Sequence, residues 1–174
     1  MRVLIVDDDL SRTALIRQAL KKRNHGRELE VWTAQSSLEA ENILDFMGDL
    51  AWDVIFLDHD LLGSLGYYCE GLGEGADGRT VANAMIEFGV TAKNVVVQSV
   101  NWMGGPEIKR MLDPHYKVIL APFPACIDLI EGKPKREWRK AYGLLTQQER
   151  KTVSTAAPAK NNGRGFKVPV EVVV

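Results

Sequence analysis

The chain has 174 residues, room for one compact domain with a modest appendage and too little for two full domains. With 45% hydrophobic and 26% charged residues it sits among ordinary globular proteins, which excludes disorder, collagen-like repeats and coiled coil for most of its length. A formal net charge of -1 excludes a supercharged surface and argues against a strong polyanion binder.

In chain order, Val3 to Val6 is a continuous branched apolar run, the mark of a strand covered on both faces of a parallel sheet. It is too short for a secretory leader and runs straight into Asp7, Asp8 and Asp9. Leu15, Ile16, Ala19 and Leu20 recur at helical spacing, and Lys21, Lys22 and Arg23 suit the negative end of that helix. Leu29 to Thr33 reads as a second strand, followed by a helix that Ser36 or Ser37 can cap and that carries Leu38, Ile43, Leu44 and Met47. Val54 to Leu57 is a third buried strand ending at Asp58. Val81, Ala84, Met85 and Phe88 mark a helix, and Val95 to Val97 a fourth strand ending near Ser99. Pro106 to Leu112 is a short helix, Val118 to Leu120 a fifth strand, and Ala125 to Ile130 opens a fifth helix. Five strands alternating with helices predict an α/β, flavodoxin-like, doubly wound parallel sheet covered on both faces.

Two segments break the rhythm. Leu61 to Arg79 holds six glycines and is expected as a long functional loop, with Tyr67 and Tyr68 as candidates to close over a site. From Gly132 onward a basic stretch, a helix to about Lys151, a polar linker and a strand-like Val168 to Val174 form a C-terminal extension, giving a domain over 1–131 and an extension over 132–174. Through Ile130 there are 12 basic and 19 acidic residues, and from Glu131 onward 10 and 4. The near-neutral total therefore hides an acidic domain joined to a basic extension, which is suited to a protein partner, a second copy of the chain or a nucleic acid. Cys69 and Cys126 lack metal-ligand spacing and fit a reducing compartment. No stretch approaches the ~20 apolar residues of a membrane span, so a cytoplasmic protein is expected.

In a doubly wound sheet, ligands bind beyond the carboxyl ends of the strands where the strand order reverses. Asp7, Asp8 and Asp9 end the first strand, and Asp58, His59 and Asp60 end the third. If these strands are neighbours, five carboxylates and an imidazole meet on one edge. Capping accounts for one acid per turn, and the surplus needs a cation, shared protons or basic partners. An all-oxygen set suits Mg²⁺ or Mn²⁺.

Val3-Leu-Ile-Val-Asp-Asp-Asp9, Asp53-Val-Ile-Phe-Leu-Asp58 and Pro122-Phe123 together resemble the receiver domain of bacterial response regulators, over about residues 1 to 130. The resemblance implies that Asp7, Asp8 and Asp58 hold Mg²⁺, that Asp58 accepts a phosphoryl group and that Ser99 is the switch residue. The family's lysine before the proline is Ala121 here, which argues against ordinary phosphorelay signalling. Leu57-Asp-His-Asp-Leu61, the insertion Leu62 to Arg79 and the turn Gln98-Ser-Val-Asn-Trp-Met-Gly104 are more similar to an offshoot, the cyclic-phosphate processing receiver of bacteria and phages, whose second histidine is Gln98 here. That resemblance implies hydrolysis of a cyclic phosphate, at an RNA end or in a cyclic nucleotide.

The residues are compatible with phosphoester chemistry: a metal held by Asp7, Asp8 and Asp58, proton transfer by His59 or Asp60, and phosphate oxygens held by Gln98, Ser99, Asn101 and the amides of Gly104 and Gly105. Alternation along a strand puts Asp60 on the face of Asp58 and His59 on the other. The alternative is a non-enzymatic receiver or pseudo-receiver that acts through phosphorylation of Asp58, nucleotide binding or a protein partner. His25 and His115 read as solvated loop residues, and Trp102 as a base-stacking or sheet-covering side chain. Leu145 to Arg150 resembles the start of a helix-turn-helix, but no recognition helix follows, so sequence-specific DNA binding is not expected.

Overall fold

In the computed structural model the described residues are 1–61, 76–99, 101 and 103–133. Strands β1 (Arg2–Val6), β2 (Glu30–Ala34), β3 (Trp52–Leu57), β4 (Ala92–Val97) and β5 (Val118–Leu120) alternate with helices α1 (Leu10–Arg23), α2 (Ser37–Met47), α3 (Gly78–Glu87), α4 (Gly104–Leu112) and α5 (Phe123–Ile130). All pairings are parallel, and the strand order is β2-β1-β3-β4-β5. The order reverses between β1 and β3, the position where such sheets place their ligands.

The branched runs of β1, β3 and β4 are buried on both faces because each faces helices twice. Leu4, Val6, Ile55, Leu57, Val95 and Val97 pack in one core with residues of α2, α3 and α4. Val3, Ile5, Val54, Phe56 and Val96 point the other way, into a core with α1 and α5. A strand with wet alternate positions could not serve both layers, so the continuous runs already encode the sandwich. Trp52 and Phe56 are the largest fully buried side chains, and they lie on the central strand β3.

The elements match the expected order with small shifts. β2 begins at Glu30 and reaches Ala34, one residue later than expected, because Glu30 N donates to Met1 O and registers against Arg2. Three residues counted on apolar helix faces are exposed: Leu15 (49%), Leu38 (53%) and Phe88 (47%). The buried stripe of α1 runs through Thr13, Ile16, Ala19 and Leu20, which turns the adjacent Leu15 about 100° away. Ser36 is the N-cap of α2, its hydroxyl accepting from Glu39 N at 3.2 Å. Among the described residues no helix is long and apolar enough to cross a membrane. Tyr67, Tyr68, Cys69, Trp102, most of the glycine-rich insertion and the C-terminal extension from 134 lie outside the described residues.

Candidate functional site

Because β1 and β3 are neighbours in register, with Val6 opposite Leu57, the residues that follow each strand emerge side by side. Asp58 N donates to Val6 O at 2.9 Å, which fixes the turn. Asp7, Asp8 and Asp58 each offer a carboxylate oxygen, all within 4.8 Å of one another. Asp7 and Asp58 are each 1% exposed.

Three carboxylates converge, not the five expected. Asp9 caps α1, its Oδ1 accepting from Ser11 N at 2.8 Å and from Arg12 N at 3.2 Å. These two amide hydrogen bonds hold its carboxyl below the usual range. Asp60 is exposed, outside the cluster, with Oδ1 2.7 Å from His59 Nδ1.

Burial pushes the Asp7 carboxyl up to about 6, against the opposing pull of the Asp9 amide and the Arg12 guanidinium. Asp58 is also raised, burial outweighing Arg12, the His59 amide and a hydrogen bond from the Ser99 hydroxyl. The cation in this picture was not read from the sequence. Arg12 Nη2 lies 2.8 Å from Asp7 Oδ1, 2.8 Å from Asp58 Oδ2 and 3.2 Å from Asp8 Oδ1. A signal was available: Arg12 stands one helical turn after Asp8, in a first turn that otherwise favours acids. Of the expected ways to relieve surplus acids, a basic partner is the one the chain itself supplies. The same nest, small and lined by oxygens, also has the donor chemistry of a Mg²⁺ or Mn²⁺ site at Asp7, Asp8 and Asp58.

Gln98 and Ser99 follow β4. Gln98 is wholly buried and donates from Nε2 to Asp7 Oδ2 at 2.7 Å. Its other end faces Cys126, whose thiol is buried and pushed up by that burial. Gln98 thus orients a carboxylate with the amide that was expected to meet a phosphate. Ser99 Oγ accepts from Asn101 N at 3.0 Å and its hydroxyl reaches Asp58. Asn101 Oδ1 accepts from Met103 N at 3.1 Å and Gly104 N at 2.9 Å, while Gly105 N donates to Asn101 O at 3.1 Å. The amides of Gly104 and Gly105, expected as phosphate donors, are therefore bonded to Asn101.

His59 leans away from the three carboxylates. Its Nε2 is 3.4 Å from Asp77 Oδ2, and Asn101 Nδ2 is 3.3 Å from its Nδ1. Asp77, the N-cap of α3, is tied to Arg79 through Nη2 at 2.6 Å. It was missed because it closes the glycine-rich insertion; an acid just before the Val81, Ala84, Met85 period is nevertheless an N-cap signal. Two glycines make this nest possible. A Cβ on Gly104 would lie 2.0 Å from His59 Cδ2, and one on Gly78 would lie 2.1 Å from Asp58 O. Gly104→Ala should expel the imidazole from between Asp60 and Asp77 at a cost of about 1–2 kcal/mol, because a side chain can move where a backbone cannot. A shift of the His59 ring resonances with a melting point only a few degrees lower is the expected result.

No family model matches the sequence, and no curated protein matches it. Among solved structures, the response regulator receiver domain from Rhodospirillum rubrum aligns with a TM-score of 0.53 at 16% identity, over 84% of this chain and 96% of that one. The response regulator domain of Thermotoga maritima CheB gives 0.45 at 19% identity, over 90% and 98%. The Mn(2+)-bound form of response regulator Rcp1 gives 0.48 at 17%, over 83% and 95%. The five-stranded sheet in the order β2-β1-β3-β4-β5, with helices on both faces, is the flavodoxin-like fold of response-regulator receiver domains.

Proposed function

We propose that the domain is an atypical receiver that binds Mg²⁺ or Mn²⁺ through Asp7, Asp8 and Asp58 and processes a phosphoester of the cyclic-phosphate type, at an RNA end or in a cyclic nucleotide. The observation that carries this reading is the pairing of two constellations at one sheet edge. Three carboxylates have oxygens within 4.8 Å of one another. The next residue, His59, is bracketed by Asp60 and Asp77. A cation that neutralises ester charge, next to a group able to move a proton, is the minimum that such chemistry needs. Ala121 adds support, since the lysine that would report an aspartyl phosphate in a receiver is replaced by a fully buried methyl.

When bound, the metal ion would stabilise negative charge on the phosphate oxygens. In hydrolysis of a cyclic phosphate, a P–O bond forms to water, one ring P–O bond breaks, and the water's proton passes to the released hydroxyl. His59 moves that proton, with Asp60 and Asp77 holding the ring. Ser99 and Asn101 meet the phosphate oxygens. As the Asn101 side chain leaves its cap it frees the amides of Met103 and Gly104 to do the same, next to that of Gly105. Gln98 keeps Asp7 aimed.

A second reading, a phosphoaccepting regulator, is favoured by the receiver fold and by the Ser99 hydroxyl on Asp58. The test is incubation with Mg²⁺ or Mn²⁺ and a panel of 2′,3′-cyclic, 3′,5′-cyclic and cyclic-dinucleotide phosphates, beside Asp58→Ala. The expected result is turnover that falls ~1,000-fold or more in the variant. Absence of turnover, together with an aspartyl phosphate formed on Asp58 by phosphoryl transfer from acetyl phosphate with release of acetate, overturns the hydrolase in favour of the regulator.

A further inference from the structure

We infer that Arg12 is a tethered cation that competes with the divalent metal for the Asp7, Asp8 and Asp58 oxygens, so that metal enters only as the guanidinium leaves. The inference rests on the metal-binding reading above and adds what controls it.

The position of the guanidinium makes the two cations mutually exclusive. Asp7 Oδ2 is taken by the Gln98 amide at 2.7 Å, and Asp58 Oδ1 by the His59 amide at 2.7 Å. The oxygens that face a cation are Asp7 Oδ1, which shares itself with the Asp9 amide at 2.9 Å, and Asp58 Oδ2, both 2.8 Å from Arg12 Nη2. Oδ1 of Asp8 completes the set at 3.2 Å from the same nitrogen. A metal ion bound to these oxygens at about 2.1 Å would occupy the space in which that nitrogen stands. Two positive charges do not share one site, so binding of one requires departure of the other.

Arg12 is also poised to leave. It lies in the first turn of α1, where the helix dipole disfavours a cation. Its Nε is buried with no hydrogen-bond partner, and the nearest carboxylate oxygen, Asp9 Oδ2, is 3.6 Å away. An unpaired buried donor weakens the inward position. The side chain is 21% exposed and so has a path to water. In the metal-free protein the inward position is nevertheless favoured, because it neutralises two buried carboxylates. The trade-off gives a threshold: the site fills only when divalent cation is abundant enough to displace an internal competitor.

Arg12→Met keeps length and helix propensity and removes the charge. Titration with Mn²⁺ alone, followed by loss of the free-ion resonance signal, should show wild-type protein binding at least about tenfold more weakly than the variant, with Asp58→Asn as control. Without metal the variant should melt below wild type, and saturating Mn²⁺ should close or reverse that gap. Equal or weaker binding by Arg12→Met, with wild type binding and Asp58→Asn not, overturns the competition and leaves the metal site standing. Binding by neither protein, or binding untouched by Asp58→Asn, removes the metal site and the competition with it. Binding by the variant alone supports both. Should Arg12→Met fail to fold without metal, the side-chain Nε–H resonance of wild-type Arg12 gives the answer. Displacement by Mg²⁺ moves it to a solvent-exchanging position, whereas an unmoved resonance at saturation overturns the inference.

Discussion

Gly78→Ala is expected to destabilise the domain by about 3 kcal/mol and to lower its melting temperature by roughly 10 °C. The cause is contact, not backbone conformation. A Cβ at this position would lie 2.1 Å from the carbonyl oxygen of Asp58, 2.8 Å from Ile108 Cδ1 and 3.0 Å from the Cα of His59. Two of those three atoms are backbone at the end of β3, and Gly78 N donates to His59 O at 2.8 Å, so the two segments cannot separate without losing that bond. The displacement would pass directly to the Asp58 carboxylate. Gly89→Ala is the control. Its φ of +62° strains any side chain, but nothing lies within 4 Å, so a cost of about 1 kcal/mol is expected. Thermal melts of the two variants decide the matter, and a Gly78→Ala loss no larger than that of Gly89→Ala would sink the close-approach argument.

Asp7 carries the second large effect, a dependence of metal-free stability on pH with an unusual sign. In the unfolded chain its carboxyl titrates near 3.8; burial in the fold pushes it up to about 6. Below pH 4 both states hold the proton, and the stabilisation is fully present. Between about pH 4 and pH 6 the folded state binds a proton that the unfolded state has released, so stability falls as pH rises. Across the window the loss approaches about 3 kcal/mol for a shift of about two pH units. Carboxyls held low, such as Asp53 beside Lys93 and Glu30 beside Trp32 and Arg2, act the opposite way and only as pH drops below their unfolded range. The two regimes are therefore separable. Asp7→Asn should raise the melting temperature at pH 7.5 and reduce the loss of stability between pH 4 and 6, leaving the part that Asp58, also raised by burial, contributes, with Gln98 turning its amide so that Oε1 accepts from the new side chain. A variant that loses as much stability through that window as the wild type would show that Asp7 is not responsible.

The fold was legible because its information is local. Runs such as Val3 to Val6 and Val54 to Leu57 announce strands covered twice, and the acids that end them mark the sheet edge where the order reverses. Asp7, Asp8 and Asp58 could be named because strand neighbours bring strand ends together. What was hidden depends on side-chain direction. Arg12 reads as one more basic residue on a helix, yet its guanidinium reaches back over the turn to three carboxylates. Gln98 reads as a phosphate donor until the partner of its amide is known to be Asp7. His59 was expected on the face opposite Asp58, and it does turn away, but the glycines that admit it, Gly78 and Gly104, and the acid that receives it, Asp77, come from two other elements. Such three-way contacts have no periodicity in the sequence.

The single amide of Asn101 has a mechanical consequence. Its oxygen holds the first amides of α4, and its nitrogen touches both Asp60 and His59 at 3.3 Å. One planar group thus serves as the pin of a lever whose short arm is the charge at the end of β3 and whose long arm is helix α4. His59, Asp60 and the start of α4 share one hydrogen-bonding group, and the far end of that helix, at Leu112, sits against the core formed with α2 and α3. The charge at the sheet edge is in this way joined, through a single side chain, to the helix layer on the opposite side of the sheet from α1 and α5.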